Sequence, residues 1–209
     1  MIVLGLDTCL GACSVAVLDG PRVLAHASEA MARGHQERLA PMTQAVMAQA
    51  GLDFSDLDRV AATVGPGSFT GLRVGVAFAK GLASALSVPA IGVGALEALA
   101  AEEDGLAAAA IDARRDQVYL QVFDAGRLLT PPEVLPLDAA AARLSEVAGE
   151  RPLSLVGSGA PLLAAGRPGA KVLTRKGCDA RHVARLGAGR AASPIRPLYL
   201  RAPDARLPA

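Results

Sequence analysis

Asp7 and Thr8 close an apolar run, Ile2-Val3-Leu4-Gly5-Leu6, and stand just ahead of a turn at Gly11. A carboxylate at a strand end beside a hairpin can hold a hydrated cation while the hairpin N–H groups cradle a phosphate. Asp at a strand end is also ordinary turn chemistry. Asp112-Ala113-Arg114-Arg115-Asp116 stands in a comparable place in the second half, where a solvated loop at the head of a hairpin is the alternative. Gly157-Ser158-Gly159 follows another apolar run, and a lone Gly-x-Gly there is usually a turn.

The stretch Gly65-Pro66-Gly67-Ser68-Phe69-Thr70-Gly71-Leu72-Arg73 follows Val60-Ala61-Ala62-Thr63-Val64 and reads as strand, tight turn and helix. Gly65 and Gly67 permit positive φ or close backbone approach, Pro66 stiffens the turn, and Ser68 or Thr70 is placed to cap the helix. A helix N-terminus after a glycine turn favours an anion. Two nucleotide motifs nevertheless fit badly. Leu72 and Arg73 stand after Gly71 where a phosphate loop needs Lys and Ser or Thr, and no Asp or Glu occurs between Asp58 and Glu97 to hold a ribose. A rigid turn that lets a helix pack closely on a sheet is the simpler reading.

Metal and hydrolase chemistry find little support in the pattern. The three histidines are His26, His35 and His182, and the helical candidate His35-Gln36-Glu37-Arg38-Leu39 carries leucine where an i+4 ligand would stand. Ser14 and Ser68 lack a Gly-x-Ser-x-Gly elbow. Cys9, Cys13 and Cys178 form no disulfide framework or zinc pattern and read as buried thiols.

The elements that must position these groups follow from the periodicity. Strands are expected over 2–8, 14–18 and 23–30, then a helix over 35–50 with Leu39, Met42, Val46 and Ala50 on one face, kinked by Pro41 or starting near it. After the strand and helix at 60–86 come a strand at 90–93 and a helix near 95–101. The charged run Glu102-Glu103-Asp104 marks a subdomain boundary, which divides the chain into 1–104 and 105–209. Strands begin again at 106–112 and 117–123, followed by an extended connection from Thr130 to Pro136, a helix at 138–148, a strand at 153–156 and a helix at 179–186. The Pro- and Arg-rich stretch 193–209 reads as an extended, partly mobile tail.

Between Gly71 and Leu86 the polar side chains are Arg73, Lys80 and Ser84, on one narrow stripe. A helix apolar over the rest of its circumference needs cover on a second side, from its own chain or another. The expected docking surface is therefore the helix pair, through His35, Leu39, Met42, Val46 and Met47 of the first and Phe69, Gly71, Leu72, Gly75, Phe78, Ala79 and Leu82 of the second.

Composition narrows the function class. The 209 residues are 52% hydrophobic and 20% charged, with a net charge of +1, so no basic surplus marks a nucleic-acid binder. Aromatic content of 3% with no Trp argues against a base-stacking platform. The opening residues lack a signal-peptide pattern, and no uncharged run reaches membrane length, so a cytoplasmic protein is expected.

Taken together, Asp7-Thr8, the Ala12-Cys13-Ser14-Val15-Ala16-Val17 strand, His35 with Leu39 and Pro41, the nonapeptide 65–73, Asp112-Ala113-Arg114 and Tyr199-Leu200-Arg201 resemble the TsaB (YeaZ) family. The resemblance implies an α/β, ribonuclease H-like fold of the actin, sugar-kinase and Hsp70-ATPase class, with two related subdomains each built on a mixed sheet. It implies a non-catalytic partner of a TsaD-type subunit, acting with a TsaE-type ATPase to make threonylcarbamoyladenosine at position 37 of ANN-decoding tRNAs. TsaD carries two metal-binding histidines four apart; Leu39 in the second place removes metal and catalysis from this chain. Contact with tRNA would be indirect, and the isolated chain is free to form a homodimer. Asp7, Thr8, Gly65, Gly67, Ser68, Asp112 and Gly157 would then be a vestigial nucleotide cleft, with no cofactor beyond weak ATP and magnesium. A stand-alone sugar-kinase-like phosphotransferase and an M22-type glycoprotease are the rival activities.

Overall fold

The computed structural model describes residues 1–201. Its first sheet is built from β1 (Ile2–Asp7), β2 (Ala12–Asp19) and β3 (Arg22–Ala30), followed by helix α1 (His35–Ala50), β4 (Arg59–Thr63), α2 (Phe69–Leu86), β5 (Ala90–Val93) and α3 (Ala95–Ala100). The second comprises β6 (Leu106–Arg114), β7 (Gln117–Asp124), β8 (Arg127–Leu128), β9 (Glu133–Pro136), α4 (Leu137–Ala148), β10 (Ser154–Val156), α5 (Ala160–Leu163) and β11 (Lys171–Leu173), and α6 (Ala180–Ala188) follows it. The strand orders are β3-β2-β1-β4-β5 and, read the same way, β8-β7-β6-β10-β11. In both, the first strand pairs antiparallel with the next strand in the chain and parallel with the fourth-position strand, β4 or β10. The restart of the strand pattern after residue 105 is thus a repeated topology.

Two cores share one wall. Along β6, Ala107, Ala109 and Ile111 pack into the core of the first sheet with α3, whereas Leu106, Ala108 and Ala110 pack with Leu144 and Ala148 of α4. Period-two alternation makes this possible, and the alanines keep the wall thin.

The division at residue 104 needs correction. Helix α6 comes from the second half of the chain but packs on the first sheet. A Cβ on Gly5 would lie 2.3 Å from the Ala180 carbonyl oxygen, and one on Gly187 would lie 2.4 Å from the Ala61 Cβ. Arg59 ties down the helix end from below, its guanidinium donating to the carbonyls of Gly187, Ala188 and Arg190. The extended segment beyond is anchored as well, with Ile195 buried and the Leu198 N–H donating to the Val64 carbonyl at 2.7 Å. The first subdomain is therefore assembled from both ends of the described chain. The remainder of the expected tail, 202–209, lies outside the described residues.

Smaller departures have local causes. Pro41 does not start α1, which begins at His35 and runs through it. The expected connection 130–136 contributes strand β9, whose residues Glu133–Pro136 pair with β7 because an edge remains open there. The short elements α5 and β11 were too brief to show a period.

Candidate functional site: a sealed carboxylate, an open cleft and a helix face

Asp7 ends β1 with its side chain fully buried. Its Oδ1 accepts from the Thr63 hydroxyl at 2.7 Å and from the Cys9 N–H at 3.1 Å, and its Oδ2 accepts from the Cys178 N–H at 2.8 Å. Burial pushes the Asp7 carboxyl above its ordinary range, opposed by the three donors. The same buried ground pushes the Cys13 thiol up to about 11, which leaves it a packing group.

The turn beyond Asp7 is closed by the chain itself. The Thr8 hydroxyl donates to the Gly71 carbonyl at 2.7 Å, the Ser68 N–H donates to the Cys9 carbonyl at 2.7 Å, and the Gly11 N–H donates to the Lys176 carbonyl at 2.7 Å. Glycine is required at this contact. A Cβ on Gly67 would sit 2.3 Å from the Cys9 oxygen, on Gly71 2.0 Å from the Thr8 oxygen, and on Gly75 2.5 Å from the Thr8 hydroxyl. Ser68 caps α2 by accepting from the Gly71 N–H at 3.3 Å. The nonapeptide is accordingly a packing loop seated on the β1–β2 turn.

Between the two sheets lies an open cleft of about 730 Å³. Gly67, Ser68 and Asp112 of the expected nucleotide set line it, together with Arg114, Ser158 and Lys176. Asp7 and Thr8 are sealed behind it, and Gly65 (φ +104°) and Gly157 (φ +115°) serve the turns after β4 and β10. The Asp112 backbone N–H donates to the Ser158 hydroxyl at 3.1 Å, which joins the two loops of the second sheet. Ser158 and Arg114 belong to motifs seen in the sequence; Lys176, in an irregular segment, gave no signal.

The expected docking residues separate into two groups. His35, Leu39, Met42, Val46, Met47, Gly71, Leu72, Gly75 and Ala79 are buried in this chain's own core, which corrects their placement on a docking surface. The glycine notch of α2 admits the chain's own Thr8, not another subunit. The buried His35 Nε2 lacks a hydrogen-bond partner among the described residues. Phe78 and Leu82 are half-buried, with Val74 and Leu86, and Ala77, Gly81 and Ala85 beside them are exposed. Arg73, Lys80 and Ser84 lie exposed along the same helix. At its N-terminal end Phe69 is 49% exposed and Tyr199 48%, their rings 5.6 Å apart, with the Arg73 guanidinium 3.7 Å over the Phe69 ring.

Residues 24–131, just over half of the chain, match the TsaD family, described as tRNA N6-adenosine threonylcarbamoyltransferase. The chain is 40% identical over 124 residues to the Escherichia coli tRNA threonylcarbamoyladenosine biosynthesis protein TsaB, covering 57% of this chain and 53% of that relative. A Pseudomonas aeruginosa crystal structure of an uncharacterized protein with similarity to peptidase YeaZ superposes with a TM-score of 0.84 at 32% identity, covering 96% of this chain and 99% of that one. The chain belongs to the TsaB (YeaZ) family. It spans about half the length of the E. coli TsaB it matches. At the level of fold alone, the family's architecture extends to a Clostridium difficile activator of 2-hydroxyisocaproyl-CoA dehydratase, whose TM-score is 0.54 at 12% identity over 90% of this chain and 94% of the activator. The two-sheet ATPase-like fold that the resemblance implied is therefore the fold observed. Among the described residues no helix is long and apolar enough to cross a membrane.

Proposed function

We propose that this chain is a non-catalytic partner subunit in the biosynthesis of threonylcarbamoyladenosine in tRNA, docking a TsaD-type catalytic subunit through the outer face of α2. The observation that carries the reading is the sealing of Asp7. A catalytic or cation-holding carboxylate must offer a lone pair to water, metal or substrate, and here three donors of the same chain hold it in a pocket closed to solvent. The neighbouring turn is packed on one side by the loop 65–71, which lies against the Cys9 and Thr8 carbonyls, while Cys9, Leu10 and Gly11 line the open cleft on the other. In the place of a histidine pair, Leu39 is buried core.

What such a subunit contributes is a surface. The strip of Val74, Ala77, Phe78, Gly81, Leu82 and Ala85 is apolar, lies on a regular 18-residue helix, and is bordered by Arg73 and Lys80. A flat apolar centre with a charged border is the composition of a subunit interface. On this reading a TsaE-type ATPase joins the larger assembly, tRNA is contacted through the catalytic subunit, no resident cofactor is needed, and the complex works in the cytoplasm. The test is co-elution with a TsaD-type protein followed by tRNA modification with and without this chain. Failure to co-elute, or equal modification without it, would overturn the reading.

A further inference from the structure

Glu102, Asp179 and His182 come from two distant segments and meet beside a cavity of about 280 Å³. Their ligand-type atoms all lie within 4.8 Å of one another. Glu102 follows α3, Asp179 caps the N-terminus of α6, and His182 sits in the first turn of α6 with only 8% of its surface exposed. His26 of β3 lines the same cavity.

The spacing has a chemical meaning. The His182 Nε2 lies 3.5 Å from the Glu102 Oε1, and the His26 Nε2 lies 3.6 Å from the Asp179 Oδ1. These separations are long for a good hydrogen bond. The first is close to the edge of a tetrahedron of N and O ligands around zinc, about 3.3–3.6 Å for bonds of 2.0–2.2 Å, and the second sets the His26 imidazole beside the Asp179 carboxylate. The carboxylates are held in place from behind. Arg175 donates to the Glu102 Oε2 at 2.5 Å and leaves Oε1 toward His182, while the Arg181 guanidinium grips Asp179. Such outer partners orient metal ligands.

We infer that Glu102, Asp179 and His182 form a site for a divalent transition metal of the zinc type, with a fourth position open to the cavity beside His26. The donor set decides the class of metal. Two guanidiniums balance the two carboxylates, so a hard cation that depends on ligand charge gains little, whereas an imidazole donor suits zinc, nickel or copper. The ion would act as a clip, fastening the segment after α3 to the start of α6. The segment so fastened includes Cys178, whose N–H donates to Asp7, but no residue that lines the cavity lies on α2, so the inference stands independently of the partner role.

The experiment uses the full chain, stripped with a chelator and titrated with zinc chloride in a calorimeter near neutral pH. One zinc per chain at micromolar affinity is expected, with a melting temperature raised by about 2–4 °C at saturating zinc and no heat from magnesium. His182→Gln and Glu102→Gln should each weaken zinc about tenfold or more. Glu102 is exposed, so its variant keeps the fold even where loss of the buried imidazole does not. Absence of saturable zinc binding up to about 100 μM, or unchanged affinity in folded Glu102→Gln, would overturn the inference, the second by assigning the metal to the cysteine thiols or another surface group.

Discussion

Asp7 and Asp112 stand at matching points of the two sheets, on β1 and on β6, and each accepts a backbone N–H two residues on, from Cys9 at 3.1 Å and from Arg114 at 2.8 Å. Their surroundings differ. Asp7 also takes the Thr63 hydroxyl and the Cys178 N–H and is closed off, while Asp112 pairs with the exposed Arg114 at 3.2 Å and lines the open cleft. The cause is the loop after the fourth-position strand. In the first sheet it runs into an 18-residue helix pressed against the β1–β2 turn; in the second it runs into a four-residue helix that leaves the corresponding turn uncovered. One topology thus yields a half that buries its carboxylate and bears a long helix face, and a half that presents its carboxylate to the cleft between them.

The largest effect that could break this comparison lies in the glycines of the two loops. Gly67→Ala puts a Cβ 2.3 Å from a backbone oxygen, whereas the nearest atoms around a Cβ on Gly159 are 3.1 Å away. Gly67→Ala should cost about 2–3 kcal/mol or prevent folding, and Gly159→Ala about 1 kcal/mol, read from urea melts. Equal costs would mean that the first turn is not sealed as described.

Next come the carboxylates. Asp7→Ala strands three buried donors and should cost about 3 kcal/mol, while Asp112→Ala should cost less than about 1 kcal/mol. The charge itself gives a pH signature. Because burial raises the folded Asp7 pKa above its ordinary 3.8, its favourable contribution is complete below that value and is lost as pH rises through the folded pKa. The stability advantage of the wild type over Asp7→Asn should therefore be larger near pH 4 than near pH 7, measured by matched urea titrations; a gap that widens with pH would reverse the assignment.

A charge in the apolar strip separates the halves by binding. Ala77→Glu with Ala85→Glu, both exposed, should weaken capture of a TsaD-type subunit by tenfold or more, about 1.4 kcal/mol, at an almost unchanged melting temperature. Leu162→Glu, at the exposed Leu162 of α5, should leave capture as it was. Gly75→Leu, by contrast, should lower the melting temperature, since Gly75 faces Thr8. The smallest signal is expected from nucleotide: calorimetry with ATP and magnesium should show nothing tighter than about 100 μM, roughly −5.5 kcal/mol.

Much of this was legible in the chain. Strands with clean alternation, such as 117–123, and helices with a full apolar stripe, such as 35–50, announce themselves because their period survives any partner. The nonapeptide showed a stiff turn and a close approach, yet not what approached. Gly75 and Phe78 are both apolar positions on one helix, and only the position of Thr8 decides that Gly75 is fully buried while Phe78 stays half-buried at the edge of the core. The same limit hid the group at Glu102, Asp179 and His182, whose members share no spacing. It also hid the return of α6, a long-range packing event that a nine-residue helix cannot signal locally.

That return sets an order on how the chain can become a protein. Gly5 and Ala61 are made long before Gly187, and both are part of the floor on which α6 rests. During synthesis β1 and β4 therefore emerge with one face bare, and they stay so until α6 has left the ribosome. A translation product stopped after α4 holds both sheets' beginnings but not the lid of the first, so it should be a client of chaperones and proteases, not a stable half.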